Sequence, residues 1–367
     1  MTLYGRAAQG KPATMTQDAA SAPSQPQIGA VRDNHRFDAD RLAAWMGANV
    51  EGFSGPMQVS QFQRGASNPT FMLTAGLNRY VLRKKPPGQL LASAHQVDRE
   101  YRVMKALGGI GFPVPHMRAF CEDESVIGTP FYVMDFLDGR IFRDATLPGL
   151  TPAERTAIYA DLVATLARLH AVDYEAIGLG DYGRPGNYFE RQIGRWTKQY
   201  RGAQTEDIPE MERLIESLPG RVPADDTVTI AHGDYRPENV MYHPTEPRII
   251  AVLDWELSTL GHPLADLAYT CILWHSHSQS WGSLLDVDLK AMGLPSEDEH
   301  VAAYCRLTGR DRIEDFSFYL SFSLFRLASI GQGVFKRNLD GIGTGNADRD
   351  NSGTRQLAAT AWEVLQR

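Results

Sequence analysis

Short runs of alternating hydrophobic and polar residues occupy the first third of the chain. Residues 57–62 alternate in this way, and apolar runs at 71–74 and 79–85 follow after brief polar interruptions. Because successive side chains of a strand point to opposite faces of a sheet, this spacing predicts neighbouring β-strands. An amphipathic helix is predicted before them at 37–45, and residues 131–139 predict an apolar strand that ends in a turn.

The later apolar positions recur with the period of an α-helix. Thr151, Pro152 and Glu154 are typical of a helix N-terminus, in which Thr151 and Glu154 complete a capping box. We predict that this helix extends to about His170, which we interpret as a packed or capping histidine. Further helices are predicted at 91–107, 187–201, 262–269 and 316–327.

Length and composition limit the class of protein. A chain of 367 residues can form two lobes with a sizeable core. The net charge of −7 disfavours a nucleic-acid-binding protein, which needs a clustered basic surface. Cys121, Cys271 and Cys305 are far apart and lack metal-binding spacing, which favours a reduced, cytoplasmic compartment. No apolar run approaches the ~20 residues of a transmembrane helix, so no membrane association is expected.

Three segments are predicted from this pattern. Residues 1–36 are expected to be a disordered leader, because the chain before Gly29 is rich in small and polar residues and lacks the apolar core of a signal peptide. Residues 37–135 are expected to form an N-terminal lobe that binds nucleotide phosphates. Residues 136–367 would form the lobe that carries the catalytic loop, a metal site and an acceptor site.

A cluster of polar residues lies between two apolar runs in the second lobe. His232, Asp234 and Asn239 follow the first run, and Asp254 ends the second. This is the order of groups used for phosphoryl transfer on a kinase scaffold, where a carboxylate such as Asp234 takes the proton of the acceptor hydroxyl. Asn239 and Asp254 would hold Mg²⁺ through oxygen atoms. Two alternatives remain, a purely structural turn and metal-dependent hydrolysis.

Two regions of the first lobe are candidates for binding the phosphates of a nucleotide. The small-residue loop that contains Gly65, Ser67 and Asn68 could donate hydrogen bonds to phosphates, although a plain β-turn would have the same composition. Arg83 could send a cation to the phosphates and be held by Glu100 from the following helix, with Lys85 as a rival cation and a solvated basic strand as the alternative.

Three further groups of residues complete the predicted site. Backbone groups near Met134 to Phe136 are expected to contact adenine. On the helix at 187–201, the basic side chains Arg191, Arg195 and Lys198 share one face and could meet an acceptor that carries phosphate or carboxylate groups, or could be solvated. Asp266, together with His232, is expected to support the catalytic loop by hydrogen bonding. The predicted adenine contacts are thus Met134 and Phe136, and the predicted supports of the loop are His232 and Asp266.

Taken together, these motifs resemble the aminoglycoside phosphotransferase/choline kinase-like family, over about residues 37–350. The resemblance implies an α+β, two-lobed protein kinase-like fold, with a small antiparallel-sheet N-lobe and a larger, mostly helical C-lobe. It implies Asp234 as catalytic base, Asn239 and Asp254 as Mg²⁺ ligands, and ATP, or in some members GTP, as the donor. Protein-kinase activity is disfavoured, because Asp254-Trp-Glu replaces Asp-Phe-Gly.

Residues 80–88 and 253–263 look like the kinase domains attached to, or encoded beside, acyl-CoA dehydrogenases. This resemblance implies that the acceptor is the hydroxyl of a hydroxyacyl-CoA, and that a separate acyl-CoA dehydrogenase is a partner. The alternatives are phosphorylation of an aminoglycoside, an amino alcohol or a sugar, and a non-catalytic nucleotide-binding protein.

Overall fold

A six-stranded antiparallel sheet forms the N-terminal lobe in the computed structural model, which describes residues 27–63, 68–86, 96–275, 282–341 and 351–367. The order of the strands across the sheet is β1-β2-β3-β4-β6-β5. The strands are β1 (Ile28–Gly29), β2 (Met57–Phe62), β3 (Thr70–Ala75), β4 (Asn78–Lys84), β5 (Met117–Cys121) and β6 (Phe131–Asp135).

Helices cover the two faces of this sheet. Helices α1 (Ala39–Asn49) and α3 (Glu124–Ile127) pack on one face, where Leu42 and Met46 join buried residues of the strands. Helix α2 (Val97–Gly109) lies on the other face, and its apolar residues belong to the main core that continues into the second lobe. The face covered by α2 is therefore the one directed toward the second lobe.

The C-terminal lobe is mostly helical and contains two short antiparallel hairpins. One hairpin pairs β7 (Thr229–Ala231) with β10 (Thr259–Gly261), and the other pairs β8 (Val240–Tyr242) with β9 (Ile249–Val252). The described helices are α4 (Pro152–His170), α5 (Tyr188–Ala203), α6 (Pro209–Ser217), α7 (Pro263–Cys271), α8 (Leu289–Met292), α9 (Glu297–Thr308), α10 (Phe316–Leu339) and α11 (Ser352–Leu365).

Helix α10 lies at the centre of this lobe and contacts α5, α7 and α11. Its residues 318–329 are all buried. A helix that is buried on every side must be apolar nearly throughout, which explains why its sequence shows little amphipathic period. Arg326 is the charged residue in this run, and it is only 5% exposed.

The connection between the lobes is fixed at both ends by backbone hydrogen bonds. On the N-terminal side, the N–H of Phe136 donates to the carbonyl of Arg79 at 3.2 Å. On the C-terminal side, Arg140 and Tyr242 exchange two backbone hydrogen bonds, each of 2.8 Å. Gly139 lies against Met241 so closely that a Cβ atom would come within 2.4 Å of its side chain. The free part of the connection is therefore very short.

The two-lobed α+β architecture is confirmed, but the predicted start of ordered structure near Phe37 is wrong. Strand β1 pairs with β2, and the backbone N–H of Arg32 donates to the side chain of Gln61 at 2.9 Å. A two-residue strand is too short to produce a recognisable period, so pairing with β2 defines it. The rest of the predicted leader, residues 1–26, lies outside the described residues, as does the predicted start of the helix at 91–107.

No helix in the described ranges is long and apolar enough to cross a membrane.

The capping box of α4 gives a direct test of the local sequence signal. The N–H of Thr151 donates to the carboxylate of Glu154 at 2.7 Å, and the N–H of Glu154 donates to the hydroxyl of Thr151. We expect Thr151→Ala to lower the free energy of unfolding by about 1 kcal/mol, because an N–H group at the helix start loses its acceptor. Urea denaturation measures this loss. Glu216→Ala, on the exposed side of α6, is the control, and an equal loss in both variants would contradict the assignment.

Candidate active site

The loop at residues 232–239, called here the 232–239 loop, is anchored by the carboxylate of Asp266. One oxygen of Asp266 accepts the backbone N–H of His232 at 2.6 Å, and the other accepts the N–H of Gly233 at 2.8 Å. The ring of His170 lies 3.3 Å from the same carboxylate. Burial opposes ionisation of Asp266, but its hydrogen bond with His170 and the neighbouring imidazoles hold its pKa below the usual range.

His232 and Gly233 give the loop its shape. Gly233 has a φ of +83°, and a Cβ atom there would lie 2.6 Å from the carbonyl oxygen of Leu257. A side chain at this position is therefore excluded by both conformation and space. The Nδ1 atom of His232 accepts the N–H of Asp234, so its Nε2 carries the proton and donates to the carbonyl of Leu253 at 2.8 Å. The imidazole thus joins the loop to the segment that follows β9.

Asp234 and Asn239 face each other within this loop. The amide nitrogen of Asn239 donates to the backbone carbonyl of Asp234 at 2.9 Å and to its carboxylate at 2.7 Å. The guanidinium of Arg236 lies 3.1 Å from the carboxylate, and the hydroxyl of Tyr269 is also hydrogen bonded to it. Because its nitrogen is used, the amide oxygen of Asn239 is the atom that remains to bind a cation.

Asp254 follows β9 in a left-handed conformation, with a φ of +62°. Its carboxylate accepts a hydrogen bond of 3.0 Å from Arg83, which reaches across from β4 in the other lobe. The same guanidinium lies 3.2 Å from Glu256 and 3.3 Å from Glu100. Burial acts to lower the pKa of Arg83, but the charges of Glu100 and Asp254 outweigh it and raise the pKa well above its usual value. Arg83 therefore joins the two lobes at the site.

Glu100 is buried at the end of this ion-pair cluster. Its side chain is 1% exposed, and it accepts hydrogen bonds from Asn68 at 2.8 Å and from the hydroxyl of Tyr132 at 2.9 Å. Burial raises the pKa of Glu100, and the charge of Arg83 opposes that rise. The amide nitrogen of Asn68 thus supports Glu100. Gly65 and Ser67, the other residues predicted to cradle phosphates, lie outside the described residues.

Asn239 and Asp254 present the type of oxygen atoms that suit Mg²⁺. The described part of the chain contains no group of three His, Cys, Asp or Glu side chains that could hold a metal ion. An amide oxygen and a carboxylate nevertheless fit a hard cation that retains part of its water shell. The backbone also brings both residues together, because the N–H of Leu253 donates to the carbonyl of Asn239 at 2.8 Å. The arrangement excludes a tightly enclosed, all-protein metal cage.

The predicted adenine-binding segment lies at the end of β6. Met134 pairs with strands on both of its sides, and the N–H of Phe136 donates to Arg79 as described above. The guanidinium of Arg79 also stacks on the ring of Phe136, at 4.3 Å from its centre. The Phe136 N–H is therefore occupied, so the prediction that this segment contacts adenine now depends on its other backbone groups.

Helix α5 places two of its three predicted basic residues within electrostatic reach of Tyr188, at the start of the same helix. Arg191 and Arg195 both act on the buried hydroxyl of Tyr188, as do the charges of Arg326 and Asp266. Burial raises the pKa of that hydroxyl, and the positive charges oppose the rise. The charges of these three arginines and of Asp266, which anchors the 232–239 loop, therefore all act on Tyr188.

Lys198 lies further along α5 and, like Arg195, is exposed, but it is not among the charges that act on Tyr188. Lys85 follows the end of β4, and its N–H donates to the carbonyl of Pro130. The cation that meets Glu100 and Asp254 is that of Arg83.

Three residues near the site were not singled out in the sequence. Tyr269 contacts Asp234, Glu256 contacts Arg83, and Arg326 contacts Gly233. Glu256 follows Asp254 by two residues, and Tyr269 follows Asp266 by three. Their closeness in sequence to predicted site residues could have indicated that they belong to the site. For Arg326, the signal is a single charged residue within the run at 318–329, which is otherwise apolar apart from serines.

Comparison with known proteins places this geometry in a family. A model of the phosphotransferase enzyme family matches residues 58–305. Acyl-CoA dehydrogenase family member 10 of Mus musculus is 45% identical over 342 residues, which cover 92% of this chain and 32% of that protein. Acyl-CoA dehydrogenase family member 11 of Homo sapiens is 45% identical over 331 residues, which cover 87% of this chain and 42% of that protein. The chain therefore spans less than half of the length of these relatives.

A solved structure shares the fold at high sequence identity. It is that of a candidate aminoglycoside phosphotransferase from Ralstonia eutropha JMP134, which is 50% identical to this chain. The two superpose with a TM-score of 0.83 over 90% of this chain and 99% of the other.

Replacing the Asp266 anchor should reduce stability in a pH-dependent way. We expect Asp266→Asn to lower the free energy of unfolding at pH 7 by about 1–3 kcal/mol, because the amide has one acceptor oxygen for two buried N–H groups. The folded-state pKa of Asp266 is below the unfolded value, so its contribution is complete above the unfolded pKa of about 3.9 and is lost as pH falls through the folded pKa.

Urea denaturation at several pH values, with exposed Asp311→Asn as the control, measures this effect. The difference between the wild type and Asp266→Asn should shrink as the solution is acidified. A difference that grows in acid would show that the sign of the pKa shift is wrong.

Proposed function

This chain belongs to the phosphotransferase enzyme family, and we propose that it transfers the γ-phosphate of ATP to a hydroxyl group of a hydroxyacyl-CoA. The observation that carries the proposal is the arrangement of Asp234, Asn239 and Asp254 on one anchored loop and hairpin. Its polar groups match the requirements of phosphoryl transfer, namely a base, oxygen ligands for a divalent cation and a cation for the phosphates.

The proposed nucleotide side of the site lies where the lobes meet. Arg83 is held by Glu100, and we propose that its guanidinium binds the phosphates of ATP. Asn239 and Asp254 would hold Mg²⁺, which neutralises charge on the phosphates. Asp254 has a side chain that is 37% exposed, so it is accessible from the cleft while Arg83 contacts it.

The proposed catalytic base is Asp234. Its carboxylate is oriented by Asn239, Arg236 and Tyr269, and its backbone is fixed through His232 and Gly233. A carboxylate in this position would orient the acceptor hydroxyl and take its proton as the phosphoryl group is transferred. Its several hydrogen-bond partners fix the geometry of the carboxylate before the acceptor arrives, which is what efficient proton transfer requires.

The proposed acceptor carries negative charge, because the arginines on the acceptor side lack acidic partners. Among the described residues, neither Arg191 nor Arg195 forms an ion pair with a carboxylate, and the Nη1 atom of Arg191 is buried without a hydrogen-bond partner. Unpaired buried guanidinium atoms are costly unless an anion completes them. The phosphates of coenzyme A are suitable anions, and two relatives are named as acyl-CoA dehydrogenase family members.

The names of those relatives suggest a partner. The chain matches only 32–42% of the two acyl-CoA dehydrogenase family members compared above. We propose that an acyl-CoA dehydrogenase is a partner of this enzyme, because two relatives that contain the matched region are named as acyl-CoA dehydrogenase family members.

A second candidate function is phosphorylation of an aminoglycoside, which the name of the Ralstonia protein favours. Aminoglycosides are polycationic and would be repelled by Arg191 and Arg195. The charge of the acceptor side therefore favours an acyl-CoA.

Asp234→Asn tests the reaction. The amide keeps the size of the carboxylate but cannot accept a proton, so we expect kcat to fall by about 10²–10⁴-fold. Transfer of labelled phosphate from γ-labelled ATP to hydroxyacyl-CoAs, aminoglycosides and choline measures the effect, and calorimetry measures the binding of Mg·ATP. Unchanged transfer by the variant would overturn the role of Asp234. Transfer to an aminoglycoside alone would overturn the proposed acceptor, and bound Mg·ATP without transfer to any acceptor would favour a non-catalytic nucleotide-binding protein.

Replacing Arg191 and Arg195 together by Ala tests the acceptor. We expect the KM for a hydroxyacyl-CoA to rise by about 10-fold or more, while the KM for ATP stays within about twofold, because two charge-assisted contacts to the acceptor are lost. Steady-state kinetics with each substrate varied in turn provide the measurement. Arg201→Ala is the matched control, because Arg201 lies on the same helix and pairs with Glu212. Equal KM values for wild type and double variant would show that α5 does not bind the acceptor.

A further inference from the structure

Arg326 is a buried arginine that contacts the 232–239 loop from the centre of the lobe. It projects from α10, is 5% exposed and donates a hydrogen bond of 2.5 Å to the carbonyl of Gly233. Its guanidinium lies 5.2 Å from the ring centre of Tyr269 and 5.5 Å from that of Trp196. This guanidinium therefore touches α5, α7 and the loop at once.

The charge of Arg326 has no acidic partner in the described part of the chain. Its interactions there are the Gly233 carbonyl and the faces of two aromatic rings. Removing a guanidinium from water without a carboxylate is unfavourable, and stacking on two rings offsets part of the cost. A methionine or leucine at position 326 would pack among the apolar residues around it at a lower cost in free energy. The presence of a charge here thus requires an explanation beyond packing.

We propose that Arg326 is a positioning residue, which fixes the Gly233–Asp234 peptide so that the carboxylate of Asp234 points at the acceptor hydroxyl. This inference rests on the proposed function of Asp234. Asp266 holds the N–H side of Gly233, and Arg326 holds its C=O side. With both sides fixed, the plane of the next peptide is set, and with it the direction in which the side chain of Asp234 leaves the backbone.

The need for this second contact follows from the conformation of Gly233. A glycine with φ of +83° has access to more backbone conformations than any other residue, so its own preferences do not hold the loop. Asp266 holds the N–H of Gly233, and His232 accepts the N–H of Asp234 at 3.2 Å, so the carbonyl of Gly233 is the remaining polar group of this turn. The guanidinium of Arg326 restricts the carbonyl, because it is itself held over the rings of Trp196 and Tyr269.

The same guanidinium contacts both α5, the helix proposed to bind the acceptor, and the loop that carries Asp234. Trp196 stands on α5 next to Arg195, whose guanidinium lies 5.5 Å from the indole centre. Tyr269, on the other side, is hydrogen bonded to Asp234. Arg326 therefore relates the arginines that would bind the acceptor to the carboxylate that would accept its proton. A shift of about 1 Å between them can cost roughly 10²-fold in rate.

Arg326→Met and Arg326→Lys separate this role from packing. Met retains much of the volume without the charge or the donors, and Lys retains the charge and a donor without the planar stack. Arg337→Met, at an exposed position of the same helix, is the control. We expect kcat for acceptor phosphorylation to fall about 10- to 100-fold in Arg326→Met and less in Arg326→Lys, with the KM for ATP within about twofold of wild type in both.

Hydrogen exchange by mass spectrometry on the full chain gives a readout that does not depend on the acceptor. Peptides that cover residues 230–236 should exchange faster in Arg326→Met than in wild type or Arg337→Met, while peptides of α4 should be unchanged. Unaltered exchange in this loop, or faster exchange with unaltered kcat, would overturn the inference. An equal fall in ATP binding and kcat, with faster exchange throughout the lobe, would also overturn it in favour of a structural role. If wild type phosphorylates no acceptor and the loop still responds, the proposed function fails and loop positioning by Arg326 stands.

If Arg326→Met does not fold, Arg326→Lys carries the test through the same two measurements. Wild-type exchange and wild-type kcat in Arg326→Lys, with a folded protein, would show that any buried cation suffices and that the planar contact has no positioning role.

Discussion

The hydrogen bonds from two consecutive backbone N–H groups to the carboxylate of Asp266 are the constraint on which the site depends. They fix His232 and Gly233, and His232 in turn joins the loop to the segment after β9 through Leu253. Asn239 and the residues around Asp254 thus share one frame with Asp234. A fully buried carboxylate is costly, and it is tolerated here because every partner is a donor supplied by the chain.

Electrostatic balance differs between the two sides of this frame. On the proposed nucleotide side, one guanidinium meets three carboxylates, so negative charge remains in excess around Arg83. On the opposite side, Arg191, Arg195 and Arg326 have no acidic partner among the described residues. An excess of carboxylates suits a divalent cation, and an excess of guanidinium groups suits an anionic acceptor. The net charge of −7 does not indicate this separation of positive and negative groups within the site.

Local signals predicted much of the fold, and long-range contacts account for what was missed. The capping box at Thr151 and the strand at Met57–Phe62 depend on residues close in sequence, so their patterns were sufficient. The two-residue β1 exists through pairing with β2, which no local period can indicate. The Asn239–Asp234 contact spans five residues and follows from the motif, whereas Arg326 meets Gly233 across 93 residues. Asn68 was expected to face phosphates, and its contact with Glu100 depends on where α2 packs.

The short connection between the lobes limits how the cleft can open. Phe136 is tied to Arg79 in the first lobe, and Arg140 is tied to Tyr242 in the second, which leaves residues 137–139 as the hinge. Gly139 is itself wedged against Met241. So few rotatable bonds allow a rotation about one axis more readily than sliding or twisting. A change in the angle between the lobes would therefore change the distance between Arg83 and Asp254, which are hydrogen bonded across the cleft at 3.0 Å.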